Sequence, residues 1–261
     1  MKLDFYKFHG TGNDFIMIDN RHHNFPKNDT ILVERLCHRR FGIGADGLIL
    51  LENGGNGEDF SMVYFNSDGK TSSMCGNGGR CIVAFAQHLN LIKNEGVFSA
   101  IDGVYHARTE NGVVSLKMQN LPHVDLTRNE IFLNTGSPHK VIFREEVEKI
   151  EVKQEGAKIR HSEKYTAIGG TNVNFVEQTG ADSFKVRTYE RGVEDETFSC
   201  GTGVTAVAIA ANMLGMTTAT AIYLQTPGGD LKVSFEKLSD GFKNIWLTGP
   251  AKFVFKGEVE C

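Results

Sequence analysis

Residues 199–214 read "SCGTGVTAVAIAANML", a stretch without a single charged side chain. A helix apolar on every side has to be buried, so these residues predict a central helix over 201–214 that ends near Gly215, with other elements wrapped around it. A cysteine and a Gly-x-Gly turn stand at its mouth. Residues 74–90, "MCGNGGRCIVAFAQHLN", repeat the arrangement: Cys75, then Gly76-Asn77-Gly78, then a helix over 76–90 with Ile82, Phe85, Ala86 and Leu89 on one face. The flanks repeat as well. "YFNSDGKTSSMCGNG" at 64–78 is echoed by "YERGVEDETFSCGTG" at 189–203, and more loosely "HGTGNDFIMID" at 9–19 by "NTGSPHKVIF" at 134–143. The chain therefore reads as doubled, with two halves of about 120–130 residues whose cysteine turns face each other. The polar, Pro-containing "QNLPHVDLTRN" at 119–129 is the expected crossover.

Most of the remaining sequence reads as strand. "FIMID", "GLILLE", "SMVYFN", "GVVSLKM", "KVIF", "KVRTYE", "AIYLQT", "LKVSFE" and "AKFVFKGEVE" are short β-branched or aromatic runs bounded by turn residues. One further helix is predicted over 30–40, "TILVERLCHRR", with Thr30 as N-cap and Ile31, Leu32 and Leu36 as its apolar set. "GTGVTA" matches a dinucleotide-binding fingerprint in letters only, because alternating βαβ units and the following acidic residue are missing.

Composition narrows the function classes. The 261 residues are 40% hydrophobic and 23% charged, an ordinary globular balance with enough chain for a core. The formal net charge is −4 and no Lys/Arg cluster forms a phosphate-tracking stripe, which argues against nucleic acid as a partner. No window approaches the ~18 apolar residues of a membrane span. "MKLDFYKFHG" has no apolar signal core, so the expected compartment is the cytoplasm. Five scattered cysteines (Cys37, Cys75, Cys81, Cys200, Cys261) fit a reducing compartment rather than a disulfide framework. No C-x-x-C or H-E-x-x-H spacing is present, and no bound metal is expected.

Cysteines at helix mouths carry a specific chemistry. A helix N-terminus has N–H groups without intrahelical acceptors and a partial positive charge. A thiol there gains thiolate character, and a carboxylate can dock on the same amides. Two such turns brought together put two acid–base groups beside one carboxylate. One cysteine takes a proton from carbon, the other returns one to the opposite face, and a stereocentre is inverted without an electron-sink cofactor. Free cysteines are more often small buried hydrophobes, which is the reading for Cys37, Cys81 and Cys261. Cys75 and Cys200 stand apart because their context repeats.

At these residues the sequence resembles the diaminopimelate epimerase family, cofactor-independent two-cysteine amino-acid epimerases. The resemblance runs nearly end to end, through "FHGTGNDFIMID", "FGIGADGLI", "YFNSDGKTSSMCGNGGRC", "GSPH", "TNVNFV", "YERGVEDETFSCGTG" and "LTGPAKFVFKGEV". It implies an α/β fold of two pseudo-symmetric lobes, each a mixed sheet curled around a central helix, with the site in the cleft between them. The implied division is 1–119 plus 250–261 for one lobe and 120–249 for the other, the C-terminal strand returning to the first. It also implies interconversion of LL- and meso-diaminopimelate, a small amino-acid substrate, and a homodimer.

Site residues follow from the same resemblance. Cys75 and Cys200 resemble the catalytic pair, and His139 and Glu190 the groups that tune their protonation. Gly76, Asn77, Gly201 and Thr202 resemble the turns that hold the reacting α-carboxylate. Asn13, Asn66, Asn172, Glu190 and Arg191 resemble the substrate-binding side chains, most of them gripping the distal amino-acid centre. Two positions depart from the pattern: Gly47, where many members have Gln, and Ser137, where many have Asn. Both are expected toward the distal end of the substrate. The competing reading is a racemase of another amino acid, such as histidine, on the same scaffold. A non-catalytic amino-acid-binding or thiol-sensing protein is the alternative from another class.

Overall fold

The computed structural model describes residues 2–124 and 131–261, so residues 125–129 of the expected crossover lie outside the described residues. Internal contacts divide the chain into two compact units: Met1–Leu116 with Gly249–Cys261, and Lys117–Thr248.

The first unit contains β1 (Lys2–Gly10), β2 (Asn13–Asp19), α1 (Thr30–Cys37), β3 (Gly47–Asn53), β4 (Phe60–Asn66), α2 (Gly76–His88), β5 (Glu95–Ala100), β6 (Gly103–Glu110) and β7 (Val113–Lys117). A distant strand, β16 (Lys252–Glu260), closes it at β1. The strands lie in the order β16-β1-β2-β3-β4-β5-β6-β7. The β2/β3 and β4/β5 pairs are parallel, bridged by α1 and α2, and the other pairs are antiparallel. Phe5 of β1 crosses Gly257 of β16, where a β-carbon would stand 2.6 Å from Phe5 Cζ, so only glycine leaves room for the ring.

The second unit repeats this plan. It holds β8 (Phe132–Asn134), β9 (Pro138–Phe143), a 3-10 turn (Val147–Lys149), α3 (Val152–Arg160), α4 (Glu163–Thr166), β10 (Asn172–Gln178), β11 (Ser183–Glu190), β12 (Asp195–Thr197), α5 (Gly201–Met213), β13 (Ala221–Thr226), β14 (Gly229–Lys237) and β15 (Phe242–Pro250). The order is β8-β9-β10-β11-β13-β14-β15, with β12 beside β11. Parallel pairs fall at the same two places, β9/β10 and β11/β13. The sequence echo is thus an echo of topology.

Each sheet packs in two layers. In the first unit Ile16, Ile18, Leu48 and Leu50 face a cluster under α1 with Val33 and Leu36, while α2 covers the other side. In the second, Val173, Phe175 and Tyr189 face a cluster with Val152 under α3, and α5 covers the other side. A side chain two positions along a strand shares its face, so Asn172, Asn174 and Thr188 look toward α5. Residues 203–212 of α5 are all buried, as its charge-free sequence requires. Both central helices end in a left-handed residue, Asn90 (φ 58°) and Gly215 (φ 70°), whose successors donate back to Ala86 O and Ala211 O.

Some local expectations are corrected. The cap of α1 is Asp29, whose carboxylate accepts from Leu32 N at 2.9 Å, not Thr30. Ile31 is 76% exposed, and the buried face is Val33, Leu36 and Cys37. Helices α3 and α4 lie beyond the three read from sequence. The sequence of α3 is polar and interrupted by Gly156, which hides it. That glycine lies flat against Tyr189, where a β-carbon would come 2.4 Å from Tyr189 Cβ.

Candidate active site

In the first unit, Cys75 is the N-cap of α2, with extended backbone (φ −102°, ψ 147°), and its Sγ accepts from Gly78 N at 3.2 Å. A sulfur thus takes the role that Ser or Asp usually plays at a helix start. Gly78 keeps this contact open, because a β-carbon there would lie 3.2 Å from Sγ and 3.1 Å from Ile49 Cδ1. Below the turn lies Arg80, completely buried. Its guanidinium donates to Gly76 O at 3.1 Å, Thr11 Oγ1 at 3.0 Å and Asn77 Oδ1 at 2.9 Å, all neutral oxygens. Burial pulls it down to about 10, against the opposing influence of Cys81 and Cys75, so it remains cationic at neutral pH. A permanent positive charge therefore sits under the cysteine turn. Arg80 also orients Asn77: with Oδ1 occupied, Asn77 Nδ2 reaches Asn13 Oδ1 at 3.3 Å, and Asn13 Nδ2 in turn donates to Asp46 Oδ2 at 2.6 Å.

Asn66 is exposed at the end of β4 and pairs in register with Gly47 of β3. Gly47 is buried beneath Tyr64, whose ring fills the space a side chain at 47 needs. Asp14 anchors the loop end of this group, against Arg39 at 2.7 Å and Lys7 at 2.7 Å. Burial pushes its carboxyl up, but the bonds to Arg39 and Lys7 outweigh it and hold Asp14 well below the usual carboxylate range.

In the second unit, Cys200 is the buried N-cap of α5, its Sγ 3.5 Å from Thr202 Oγ1. The same hydroxyl lies 2.9 Å from His139 Nε2, so His139 reaches the sulfur through Thr202. His139 is fully buried, and burial, followed by the charge of Arg191, pushes its imidazole down to about 3; it is neutral. Asn172 Nδ2 donates to Ser137 Oγ at 2.9 Å and Pro138 O at 3.0 Å, while its Oδ1 accepts from Arg191 N at 2.8 Å. Asn172 therefore fixes both Ser137 and Arg191. Arg191 Nη1 donates to Gly169 O at 3.3 Å, and Glu190 Oε2 accepts from Thr197 Oγ1 at 2.9 Å. Glu190 is thus held by β12.

The remaining cysteines differ in kind. Burial pushes Cys37 up to about 12 and raises Cys81 further, which makes both inert packing thiols, and Cys261 is exposed. Among the described residues, no cluster of three or more His, Cys, Asp or Glu could hold a metal ion. No helix among them is long and apolar enough to cross a membrane.

The diaminopimelate epimerase family model matches residues 5–120 and 131–254. The chain belongs to that family. The diaminopimelate epimerase of Flavobacterium psychrophilum is 58% identical over 260 residues, covering 99% of this chain and 100% of the relative. That of Chlorobaculum tepidum is 42% identical, covering 96% and 98%. Among solved structures, the PhzF-family phenazine biosynthesis protein of Bacillus anthracis aligns with a TM-score of 0.76 at 13% identity, with complete coverage of both chains. A hydroxyproline epimerase of Agrobacterium vitis aligns with a TM-score of 0.66 at 14% identity, covering 99% and 92%. These likenesses are of fold, the mixed α/β architecture described above.

Sequence reasoning singled out the two cysteine turns and His139 but missed the groups behind them. Arg80, Asp46, Thr188 and Asn174 are buried or bonded neighbours of the expected residues. The signal for Asn174 was the alternation in "NVNFV", two amides on one face and two apolar side chains on the other.

Proposed function

We propose that this protein interconverts LL- and meso-diaminopimelate by two-base proton transfer, with Cys75 and Cys200 as the acid–base pair. The thiolate of one takes the proton from the α-carbon as the C–H bond breaks. The thiol of the other gives its S–H proton to the opposite face, and the pair ends with its protonation exchanged. The observation that carries this reading is the repeated cysteine N-cap: each unit starts a buried helix at a cysteine followed by Gly-x-Gly. Amides at Gly76, Asn77, Gly201 and Thr202 belong to first helical turns, the place where a carboxylate docks. Electron density that moves onto the α-carboxylate as the proton leaves is met by those dipoles and, in the first unit, by Arg80. Asn13, Asn66, Asn172, Glu190 and Arg191 take the remaining amino-acid groups, with Arg191 as the fork for a carboxylate. His139 and Glu190 adjust the protonation of the thiols.

Family membership supports a place in lysine and cell-wall precursor synthesis, in the cytoplasm and as a homodimer. The deciding experiment is incubation with LL-diaminopimelate in deuterated water under reducing conditions. Deuterium enters at one α-carbon and the meso isomer accumulates. No exchange by reduced protein removes the proposal, and faster exchange of histidine or another amino acid transfers it to that substrate.

A further inference from the structure

The two cysteine turns are not supported alike. In the first unit β2/β3 pair Phe15 with Gly47, β3/β4 pair Ile49 with Tyr64, and Ile49 reaches up to Gly78. In the second unit the corresponding registers pair His139 with Asn172 and Asn174 with Thr188, and Asn174 reaches up to Gly203. His139 and Asn174 thus stand where the first unit has Phe15 and Ile49. Apolar packing at these positions satisfies the fold, so the polar pair needs another explanation.

We infer that Asn174 is a positioning residue that sets the tautomer of His139 and thereby aims the Thr202 hydroxyl proton at Cys200. The assignment follows from which atoms can donate. Asn174 Nδ2 lies 3.2 Å from Lys140 O, a carbonyl that only accepts, and Asn174 Oδ1 accepts from Thr188 Oγ1 at 3.0 Å. The amide is therefore oriented with its NH2 toward β9. That same NH2 is 3.1 Å from His139 Nδ1, so Nδ1 presents its lone pair. A neutral imidazole with Nδ1 bare carries its proton on Nε2, and Nε2 donates to Thr202 Oγ1 at 2.9 Å. Thr202 has one hydroxyl proton, and with its oxygen accepting from histidine that proton is available to Cys200 Sγ, 3.5 Å away, whenever the sulfur is a thiolate and can only accept. The chain runs in one direction, Thr188 to Asn174 to His139 to Thr202 to Cys200, and its last bond stabilises negative charge on sulfur. Gly203 makes room for it: a β-carbon there would stand 2.5 Å from Asn174 Oδ1.

The role of this chain in turnover rests on the proposed reaction; the tautomer does not. The test is therefore the 15N spectrum of histidine-labelled protein at neutral pH, with the His139 signal identified by its loss in His139→Gln. Wild type shows a neutral ring protonated at Nε2. In Asn174→Asp, an oxygen faces Nδ1, the ring proton moves there from Nε2, and kcat for diaminopimelate falls at least about tenfold while KM changes little. Wild-type His139 protonated at Nδ1, or doubly protonated, overturns the inference without any variant. Retention of the Nε2–H tautomer or of full kcat in a folded Asn174→Asp protein overturns it as well. If wild type inverts no diaminopimelate yet the tautomer switches as expected, the reaction is wrong and the tautomer assignment stands.

Discussion

Gly47 lies under the ring of Tyr64, so that a β-carbon at position 47 would come within 2.6 Å of Tyr64 Cε2 and 2.6 Å of Phe65 O. A side chain at this position therefore needs a smaller residue at 64. Gly47→Gln is expected to destabilise this protein by about 1–3 kcal/mol, the usual cost of overpacking. Adding Tyr64→Ala recovers part of the loss, because the carbonyl of Phe65 remains. Urea unfolding of the single and double variants measures both, and an unchanged midpoint for Gly47→Gln contradicts the packing argument.

The three cysteines at 37, 75 and 200 separate by chemistry. Cys75→Ala and Cys200→Ala each abolish inversion, since one face of the α-carbon loses its proton carrier. Cys37→Ala leaves turnover near wild type and acts on stability alone, costing about 1–2 kcal/mol through the lost buried sulfur. Turnover that survives Cys200→Ala would end the two-base mechanism.

Thr202 is the link between histidine and sulfur. Thr202→Val keeps the shape and removes the hydroxyl, and its kcat is expected to fall by about 10–100-fold. Thr202→Ser keeps the hydroxyl and stays within about threefold of wild type, apart from the small packing effect of one methyl. Equal losses in the two variants would mean that the methyl group, not the hydroxyl, matters.

The two helix-mouth glycines predict different costs. Gly203→Ala drives a β-carbon to 2.5 Å from Asn174 Oδ1, an atom already held by Thr188. Gly78→Ala meets Ile49 Cδ1 at 3.1 Å and Cys75 Sγ at 3.2 Å, the first the mobile end of a side chain. Gly203→Ala should therefore lower Tm more than Gly78→Ala, and the reverse order would refute the geometry.

Stability should depend on pH through His139. Its folded imidazole is held down to about 3, chiefly by burial, while an unfolded histidine titrates at about 6.5. Between those values the unfolded chain binds more protons, so this group favours unfolding increasingly as pH falls from about 6.5 and adds no slope above it. The contribution is on the order of 1 kcal/mol per pH unit. Replacing His139 by Gln removes that part of the slope, which unfolding midpoints taken between pH 5 and 8 would reveal.

The parts legible in the sequence were those with a local cause. A charge-free helix has to be central, and a repeated Cys-Gly-x-Gly turn marks two equivalent helix starts. The parts that escaped depend on partners far away in the chain. Gly156 looks like a helix breaker until Tyr189, on β11, is seen to occupy the space above it. Ile31 fits an apolar stripe by spacing, yet the packing of α1 on β3 selects Val33 and Leu36 instead. Asn172 and Asn174 share a strand face, but which of their atoms donate emerges only when Ser137, Arg191, Lys140 and Thr188 are placed around them. An amide's direction is a property of its neighbours, and the letter N does not carry it.

The pairing of β1 with β16 joins residues 2–9 to residues 252–260. During synthesis the second unit, an uninterrupted stretch, can close as soon as its own strands have emerged. The first unit cannot: β1 keeps an open edge, with Phe5 lacking its place over Gly257, until residues 252–260 have been made. Although its residues are translated first, the unit that holds Cys75 is completed second. A chain truncated near residue 248 and released from the ribosome should accordingly yield a protease-resistant second unit beside a first unit that is still cut.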